Sequence, residues 1–227
     1  MYRKFFKRIF DVISSGIALI LLSPILLYVA WLVKTRLGSP VIFSQIRPGK
    51  DGKLFKMYKF RSMTEERDKD GNLLPDEIRL TPFGKKLRAT SMDELPELIN
   101  ILKGDMSVVG PRPQLVRDMV FFTEEEIQRQ SVYPGLTGLA QICGRNNITW
   151  KEKFAYDLQY IKNINFLEDM RIIYHTVFKV SAQEDIATDG METAEDYGDW
   201  LLYKGDITKA EYDVKQEMAT LLLQRFI

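Results

Sequence analysis

Residues 12–33 read VISSGIALILLSPILLYVAWLV and hold no charged side chain. As a helix rising ~1.5 Å per residue, this run reaches across a hydrocarbon core of ~30 Å. The apolar region is long and no A-x-A-like site follows it, so a cleaved signal peptide is not expected. Ser23-Pro24 stands at its middle. Proline removes one helical hydrogen bond and presses on the preceding turn. A serine hydroxyl can donate to a freed carbonyl, and a kinked helix then survives in lipid. Positive charge flanks both ends: Arg3, Lys4, Lys7 and Arg8 before, then Lys34, Arg36, Arg47, Lys50, Lys53 and Lys56 after. The positive-inside rule places both flanks on the cytoplasmic side. Two readings stay open: a helix that enters, bends at Ser23-Pro24 and returns, and a spanning helix with a proline kink.

Outward from this run, residues 41–47 and 54–60 mix β-branched and aromatic side chains, with Pro48-Gly49 and Asp51-Gly52 between them, which predicts a hairpin. Residues 64–80 read as a charged surface excursion. A short helix is predicted over 93–103 and ended by Gly104. Residues 107–113, SVVGPRP, are a rigid non-helical turn. Helices are predicted to about residue 121 and near 123–131, and a glycine-bearing loop with a short strand over 133–146. Thr149 with Glu152 predicts a capped helix over 150–162. Residues 166–180 carry an apolar stripe of Phe166, Met170, Ile173, Tyr174, Val177 and Phe178, which suits core packing or a membrane interface equally. Residues 183–205 read as an acidic linker. A final helix over 207–223 is predicted to turn Ile207, Val214, Met218, Leu221 and Leu222 inward.

The chain of 227 residues is 45% hydrophobic with a net charge of +1, enough for a sizeable core. Its single cysteine, Cys143, excludes an internal disulfide framework, and no His/Cys cluster predicts zinc. A hard-cation site of carboxylates stays open.

The densest chemistry lies in Ser91-Met92-Asp93-Glu94-Leu95-Pro96. Ser91 and Glu94 have capping-box spacing, which would make them helix punctuation. With Ser91 as N-cap, however, the Pro96 ring strikes an intrahelical carbonyl. With Asp93 as N-cap, Pro96 falls where N–H groups lack intrahelical partners, and Asp93 sits at the positive helix end. An ionised Asp93 beside Glu94 needs a cation or arginines nearby. Lys59, Arg61, Arg88, Arg112 and Arg145 each lie at a turn or element end, with Arg112 held between Pro111 and Pro113. Arginine on a rigid turn suits bidentate phosphate contacts. The combination points to an anionic phosphate ligand at a bilayer surface. His175 reads as a packed or interfacial residue, and Cys143 as a small hydrophobe. The glycines of 135–144 match neither a dinucleotide fingerprint nor a P-loop.

Taken in order, Lys7-Arg8 with Asp11, Ser23-Pro24, Pro48-Gly49, Lys56-x-x-Lys59-Phe60-Arg61-Ser62-Met63, Asp93-Glu94-Leu95-Pro96, Lys103-Gly104-Asp105-Met106-Ser107, Val109-Gly110-Pro111-Arg112-Pro113, Pro134-Gly135-x-Thr137-Gly138 and Gly144-Arg145 form a specific set. Over residues 1 to about 183 the chain resembles the bacterial sugar transferases called monotopic phosphoglycosyl transferases. The resemblance is closest to the small Campylobacter-type members of protein glycosylation.

It implies an α+β, mostly helical fold. A re-entrant membrane helix-break-helix covers 1–36, and a compact cytoplasmic catalytic domain with interfacial amphipathic helices and a small β-hairpin covers 37–183. Residues 184–227, the acidic linker and C-terminal amphipathic helix, fall outside the shared pattern. Dimerisation, partner docking and membrane contact are all open for them.

The activity implied is transfer of a sugar-1-phosphate from a UDP-sugar to polyprenyl (undecaprenyl) phosphate, with UMP release, at the cytoplasmic face of a bacterial inner membrane. An aspartyl-phosphosugar intermediate is implied, with Asp93 the nucleophile and Asp93 and Glu94 the ligands of Mg²⁺. Lys59, Arg88, Arg112 and Arg145 would serve the phosphates, and Lys7 and Arg8 the lipid phosphate. Asp157, Ser23, Pro24, Pro111 and Pro113 would support the site. Membrane lipid, a homodimer mate and downstream glycosyltransferases are candidate partners; nucleic acid is not. The competing readings are a non-catalytic membrane-anchored scaffold that binds polyprenyl phosphate or a glycosylation partner, and a hydrolase or metal-independent transferase using the same acids. The sugar is not named by the sequence.

Overall fold

The computed structural model describes residues 1–144, 147–182 and 196–226. Helix α1, Phe6–Leu37, contains the apolar run as one element with Pro24 inside it. The chain does not divide into two helices here: α1 runs on through Pro24. Pro24 cannot donate to Ile20 O, and the Ser23 hydroxyl donates to that carbonyl at 2.7 Å. The freed acceptor is thus satisfied one residue away, and the helix continues.

One stripe of α1 faces protein and the rest is open. Lys7, Asp11, Ser15, Val29, Val33 and Leu37 are buried, whereas Ile13, Ile17, Ile20, Leu21, Ile25, Leu27, Tyr28 and Trp31 are exposed. Both ends of the helix rest on the same globular body. At the N-terminal end, Arg8 donates to Ile101 O at 2.7 Å and Asp11 Oδ1 accepts from Val108 N at 3.0 Å. At the C-terminal end, Val29, Val33 and Leu37 pack with Phe60 and Leu87.

The hairpin forms as expected. Strand β1, Ile42–Pro48, pairs antiparallel with β2, Leu54–Phe60, in the register Ile42↔Phe60 to Pro48↔Leu54. The charged excursion ends in a single turn, α2 (Asp76–Arg79), followed by α3 (Pro82–Ala89), which Thr81 caps by accepting from Gly84 N at 3.1 Å. Helix α4 covers Glu97–Lys103, shorter than expected, and Gly104 ends it in the left-handed region at φ 98°. Phe55 and Met57 of β2 and Leu98 and Ile101 of α4 form a core with Met106, onto which Ala18, Leu19 and Leu22 of α1 pack.

Strand β3, Ser107–Val109, runs parallel to β4, Gly135–Thr137. The rigid turn lies against that pair: Gly110 N donates to Thr137 O at 2.8 Å and Gly135 N to Pro111 O at 3.0 Å. A Cβ on Gly135 would sit 2.1 Å from Gly110 N, so only glycine allows the two backbones to cross here. Helix α5 (Val116–Met119) and a 3-10 helix, Glu126–Ser131, follow, and α6 is Leu139–Cys143. The residues expected to be helical near 123–131 thus adopt the tighter helix. Cys143, expected to be a small packed hydrophobe, is exposed.

Helix α7, Trp150–Lys162, has the expected capping box: Thr149 Oγ1 accepts from Glu152 N and Glu152 Oε2 from Thr149 N. Helix α8, Phe166–Ala182, buries Asp169 and Ile172 but leaves Phe166, Leu167, Tyr174, Val177 and Phe178 exposed. Its apolar stripe is therefore open rather than packed in a core. Through the Phe166 ring, 6.0 Å from both Tyr2 and Phe10, it is continuous with the exposed face at the start of α1. His175 is exposed on α8.

The C-terminal part departs furthest from expectation. Most of the acidic linker lies outside the described residues, but its end is helix α9, Tyr197–Lys204. The last helix, α10, covers Lys209–Phe226 and buries Ala219, while Val214, Met218 and Leu221 are exposed. Of the five residues predicted to turn inward, Ile207 packs against the aromatic core and Leu222 is half-buried, whereas Val214, Met218 and Leu221 face outward. The opposite face is the one held: Tyr212 stacks on Phe121 with ring centroids 5.7 Å apart, Lys215 donates to Val120 O at 2.9 Å and Gln216 to Arg117 O at 3.4 Å.

Candidate active site

Asp93 and Glu94 sit in a 3-10 turn, Met92–Glu94, between α3 and α4. Neither capping arrangement considered from the sequence forms. Ser91 takes a left-handed backbone (φ 53°) without a side-chain capping bond, and the residue that precedes α4 is Pro96. Pro96 at the helix entrance loses no intrahelical hydrogen bond. The acid pair is thereby held in a tight turn rather than inside a helix.

Three elements converge on this turn. Asn100, fully buried on α4, accepts from Tyr58 N at 3.0 Å and donates to Lys56 O at 2.7 Å, which binds α4 to β2. Lys59 on β2 is thereby placed 2.7 Å from Glu94 Oε1 and 3.2 Å from Glu97 Oε1. Arg112, on the rigid turn, reaches the same Glu94 oxygen at 2.6 Å. Its side chain remains 42% exposed, so the guanidinium keeps an open side for a ligand. Arg88 on α3 donates its Nε to Ser62 Oγ at 2.9 Å.

The two acids are driven apart electrically. Burial disfavours ionisation of Glu94, but Arg112 and Lys59 outweigh it and hold this carboxyl below the usual range. Asp93, only 7% exposed, is pushed up to about 6, first by burial and then by the Glu94 charge; Lys59, Arg88 and Arg112 pull the other way. Glu94 is thus the fixed anion and Asp93 the carboxylate lacking full compensation. Such separation of paired acids is a mark of functional sites.

Arg112 is itself held from behind. Arg129 Nη2 donates to Arg112 O at 2.8 Å, and Arg129 pairs with Asp157 Oδ2 at 2.5 Å, both side chains being 3% exposed. Asp157 therefore acts through Arg129. Pro111 and Pro113 flank Arg112 in the turn. Lys7 and Arg8 have structural partners at the foot of α1: Lys7 Nζ lies 2.5 Å from the fully buried Asp169, and Arg8 donates to the last carbonyls of α4. Arg61 donates to Ser39 O and Glu65, away from the acid turn's contacts. Arg145 lies outside the described residues.

Sequence reasoning missed Glu97, Arg129 and Asp169. Glu97 is 2% exposed and sits at about 7, pushed up by burial and by Glu94 against the pull of Lys59. Its spacing of three from Glu94, one helical turn, was the available signal. Nothing in the local pattern around Arg129 or Asp169 distinguishes them from surface charges.

Among the described residues no group of three or more His, Cys, Asp or Glu side chains that could hold a metal occurs. Asp93 and Glu94 offer two carboxylates, hard oxygen donors. That fits Mg²⁺, which is commonly bound by one or two carboxylates with substrate phosphates and water completing its shell. The uncompensated charge of an ionised Asp93 is the feature a cation would relieve.

A buried Asp93, a half-buried Glu94 paired with Lys59 and Arg112, and a long apolar helix with most of its surface exposed are thus parts of one fold. The chain belongs to the bacterial sugar transferases, whose family model matches residues 2–183. It is 49% identical to the sugar transferase EpsL of Bacillus subtilis, over 83% of this chain and 94% of that protein. It is 47% identical to the UDP-glucose:undecaprenyl-phosphate glucose-1-phosphate transferase of Klebsiella pneumoniae, over 77% of this chain and 40% of that protein. The exopolysaccharide production protein ExoY of Rhizobium meliloti is 37% identical over 75% of this chain and 83% of its own length. The Klebsiella protein is thus longer, and the shared region spans two-fifths of it.

Proposed function

We propose that this chain transfers a sugar-1-phosphate from a UDP-sugar to undecaprenyl phosphate at the cytoplasmic face of a bacterial inner membrane, as a first membrane step of polysaccharide assembly. The observation that carries the reading is the acid turn: a buried Asp93 beside a Glu94 anion that is paired with Lys59 and Arg112. The names of the Klebsiella and Rhizobium relatives supply the donor, acceptor and polysaccharide classes.

Ionised Asp93 attacks the phosphorus next to the sugar. A new O–P bond forms, the P–O bond to the second phosphate breaks, and UMP leaves with the electron pair. An aspartyl-phosphosugar remains. An oxygen of undecaprenyl phosphate then attacks the same phosphorus, the acyl-phosphate bond breaks, and the carboxylate returns. Arg112 and Arg88 offset the charge that gathers on the phosphates, and Arg145 is assigned the same task by resemblance. Mg²⁺ held by Asp93 and Glu94 would supply further neutralisation of the diphosphate. Lys7 and Arg8 remain candidates for steering the lipid phosphate to the foot of α1.

A re-entrant path for α1 has structural support. A helix of this length is ~48 Å long when straight, and one that crossed the bilayer would have its ends on opposite faces. Both ends instead seat on one globular body, and the stretch around Ser23-Pro24 is its most exposed part. The open stripe of α8 then lies at the lipid interface.

The test is incubation with a panel of UDP-sugars, Mg²⁺ and undecaprenyl phosphate. UMP release coupled one-to-one to lipid-linked product is expected for one donor. Continued release without the acceptor would mean a hydrolase, and no release with any donor would favour a binding scaffold.

A further inference from the structure

Tyr197 lies beyond the family-matched residues 2–183, yet it is 4% exposed and touches three elements that hold Arg112. Its backbone N donates to Asp118 Oδ1 at 2.8 Å, on α5. Its hydroxyl donates to Glu126 Oε1 at 3.0 Å, at the start of the 3-10 helix. Its ring lies 5.0 Å from Phe154 and 5.2 Å from Trp150, on α7.

Each of these contacts leads to Arg112. The α5 turn begins just after Pro113, and Asp118 also accepts from Leu115 N at 3.2 Å, which ties the end of the rigid turn to α5. The 3-10 helix carries Arg129, which donates to Arg112 O, and α7 carries Asp157, which fixes Arg129. A helix of four residues has no stability of its own. The neighbours of Tyr197 reinforce the same turn: Arg117 on α5 pairs with Asp196 at 3.0 Å and Asp199 at 3.4 Å. Gly198 lies so close beneath Phe121 that a Cβ would meet the ring at 2.5 Å.

We propose that Tyr197 is a positioning residue for Arg112, so that the C-terminal helices α9 and α10 complete the anion-binding half of the site. The proposal rests on the nucleotide-sugar reading above for the identity of the anion. Small displacements of a charge clamp suffice to matter, since misplacement by ~1 Å can cost ~10²-fold in rate.

The experiment is a double-variant cycle in the full chain, solubilised in detergent, with UDP affinity measured by calorimetry. Tyr197→Ala is expected to weaken UDP binding about tenfold, in the range set by losing a hydrogen bond and its alignment. In an Arg112→Ala background the same substitution should add less than about twofold, because the effect passes through Arg112. Equal weakening in both backgrounds would overturn the proposal. So would a lowered melting temperature with UDP affinity unchanged. Tyr197→Phe removes the hydroxyl's bond to Glu126 without opening the core or breaking the Glu126–Thr123 cap. It should weaken UDP about two- to threefold in the parent chain only, and it serves if Tyr197→Ala does not fold. Inorganic pyrophosphate, run in parallel, separates the two readings. Pyrophosphate binding with the expected coupling but no UDP binding would refute the nucleotide and keep the positioning role. Binding of neither would refute both.

Discussion

Replacing Asp157 by asparagine separates the stability of this fold from the alignment of its site. Asp157 and Arg129 form an ion pair at 2.5 Å with both side chains 3% exposed. Removing one charge from a buried pair costs ~3–5 kcal/mol. Asparagine keeps an accepting oxygen, so the lower end, ~3 kcal/mol, is expected. At ~2–4 °C per kcal/mol for a chain of this size, the melting temperature should fall by ~6–12 °C. Replacing both residues, Asp157→Leu with Arg129→Met, removes the stranded charge and should restore most of that loss. It does not restore the donor to Arg112 O, so UMP release should stay low in the double variant. The assays are fluorescence-detected unfolding in detergent micelles and UMP release at 20 °C. A single variant melting within about 1 °C of the parent would refute the energetic argument. A double variant with full turnover would refute the role of Arg129 behind Arg112.

Stability should fall with rising pH in the metal-free protein. Asp93 and Asp118 sit at about 6 and Glu97 at about 7, each pushed up first by burial. Acids raised on folding hold protons more tightly in the folded state, so stability is lost as pH climbs from the ordinary carboxylate range through these values. Melting at pH 5.5 should exceed melting at pH 8, and the reverse order contradicts the assignment. Arg88→Ala should raise the KM for the UDP-sugar ~10–100-fold through lost charge-assisted hydrogen bonds, and an unchanged KM would remove Arg88 from phosphate binding. Single cysteines at Phe5 and Ser39, in a Cys143→Ser background because Cys143 is exposed, should react with an impermeant maleimide from the same side of the membrane. Labelling from opposite sides would mean a spanning helix.

Much of the fold was legible because local chemistry decided it. The hairpin follows from β-branched and aromatic runs around two glycine turns, and α7 from Thr149 and Glu152 three residues apart. Pro24 was legible as a lost hydrogen bond, but the nearby Ser23 hydroxyl keeps α1 one element. The acid turn could not be read in detail: Pro96 argued against a helix capped by Ser91 and for one capped by Asp93, and the chain takes neither path but turns through a left-handed Ser91. Asp93, Glu94, Lys59 and Arg112 were readable as a set, and the structure brings them together. Arg129 and Asp169 were not, because their burial is decided by elements distant in sequence. The outward turn of Val214 and Met218 was misread for a related reason. Apolar spacing says which residues share a face, and the contacts of Tyr212, Lys215 and Gln216 with distant parts of the chain decide which face is held.

Covalent chemistry at one carboxylate is the centre of this account, and mass analysis of the intact protein tests it. After brief exposure to the active UDP-sugar with Mg²⁺ and no lipid acceptor, peptide mapping should place one phosphosugar on Asp93. Undecaprenyl phosphate should discharge it, and Asp93→Asn should never acquire it. Full turnover with no adduct at Asp93 under rapid acid quench, or an adduct on another side chain, would contradict the account.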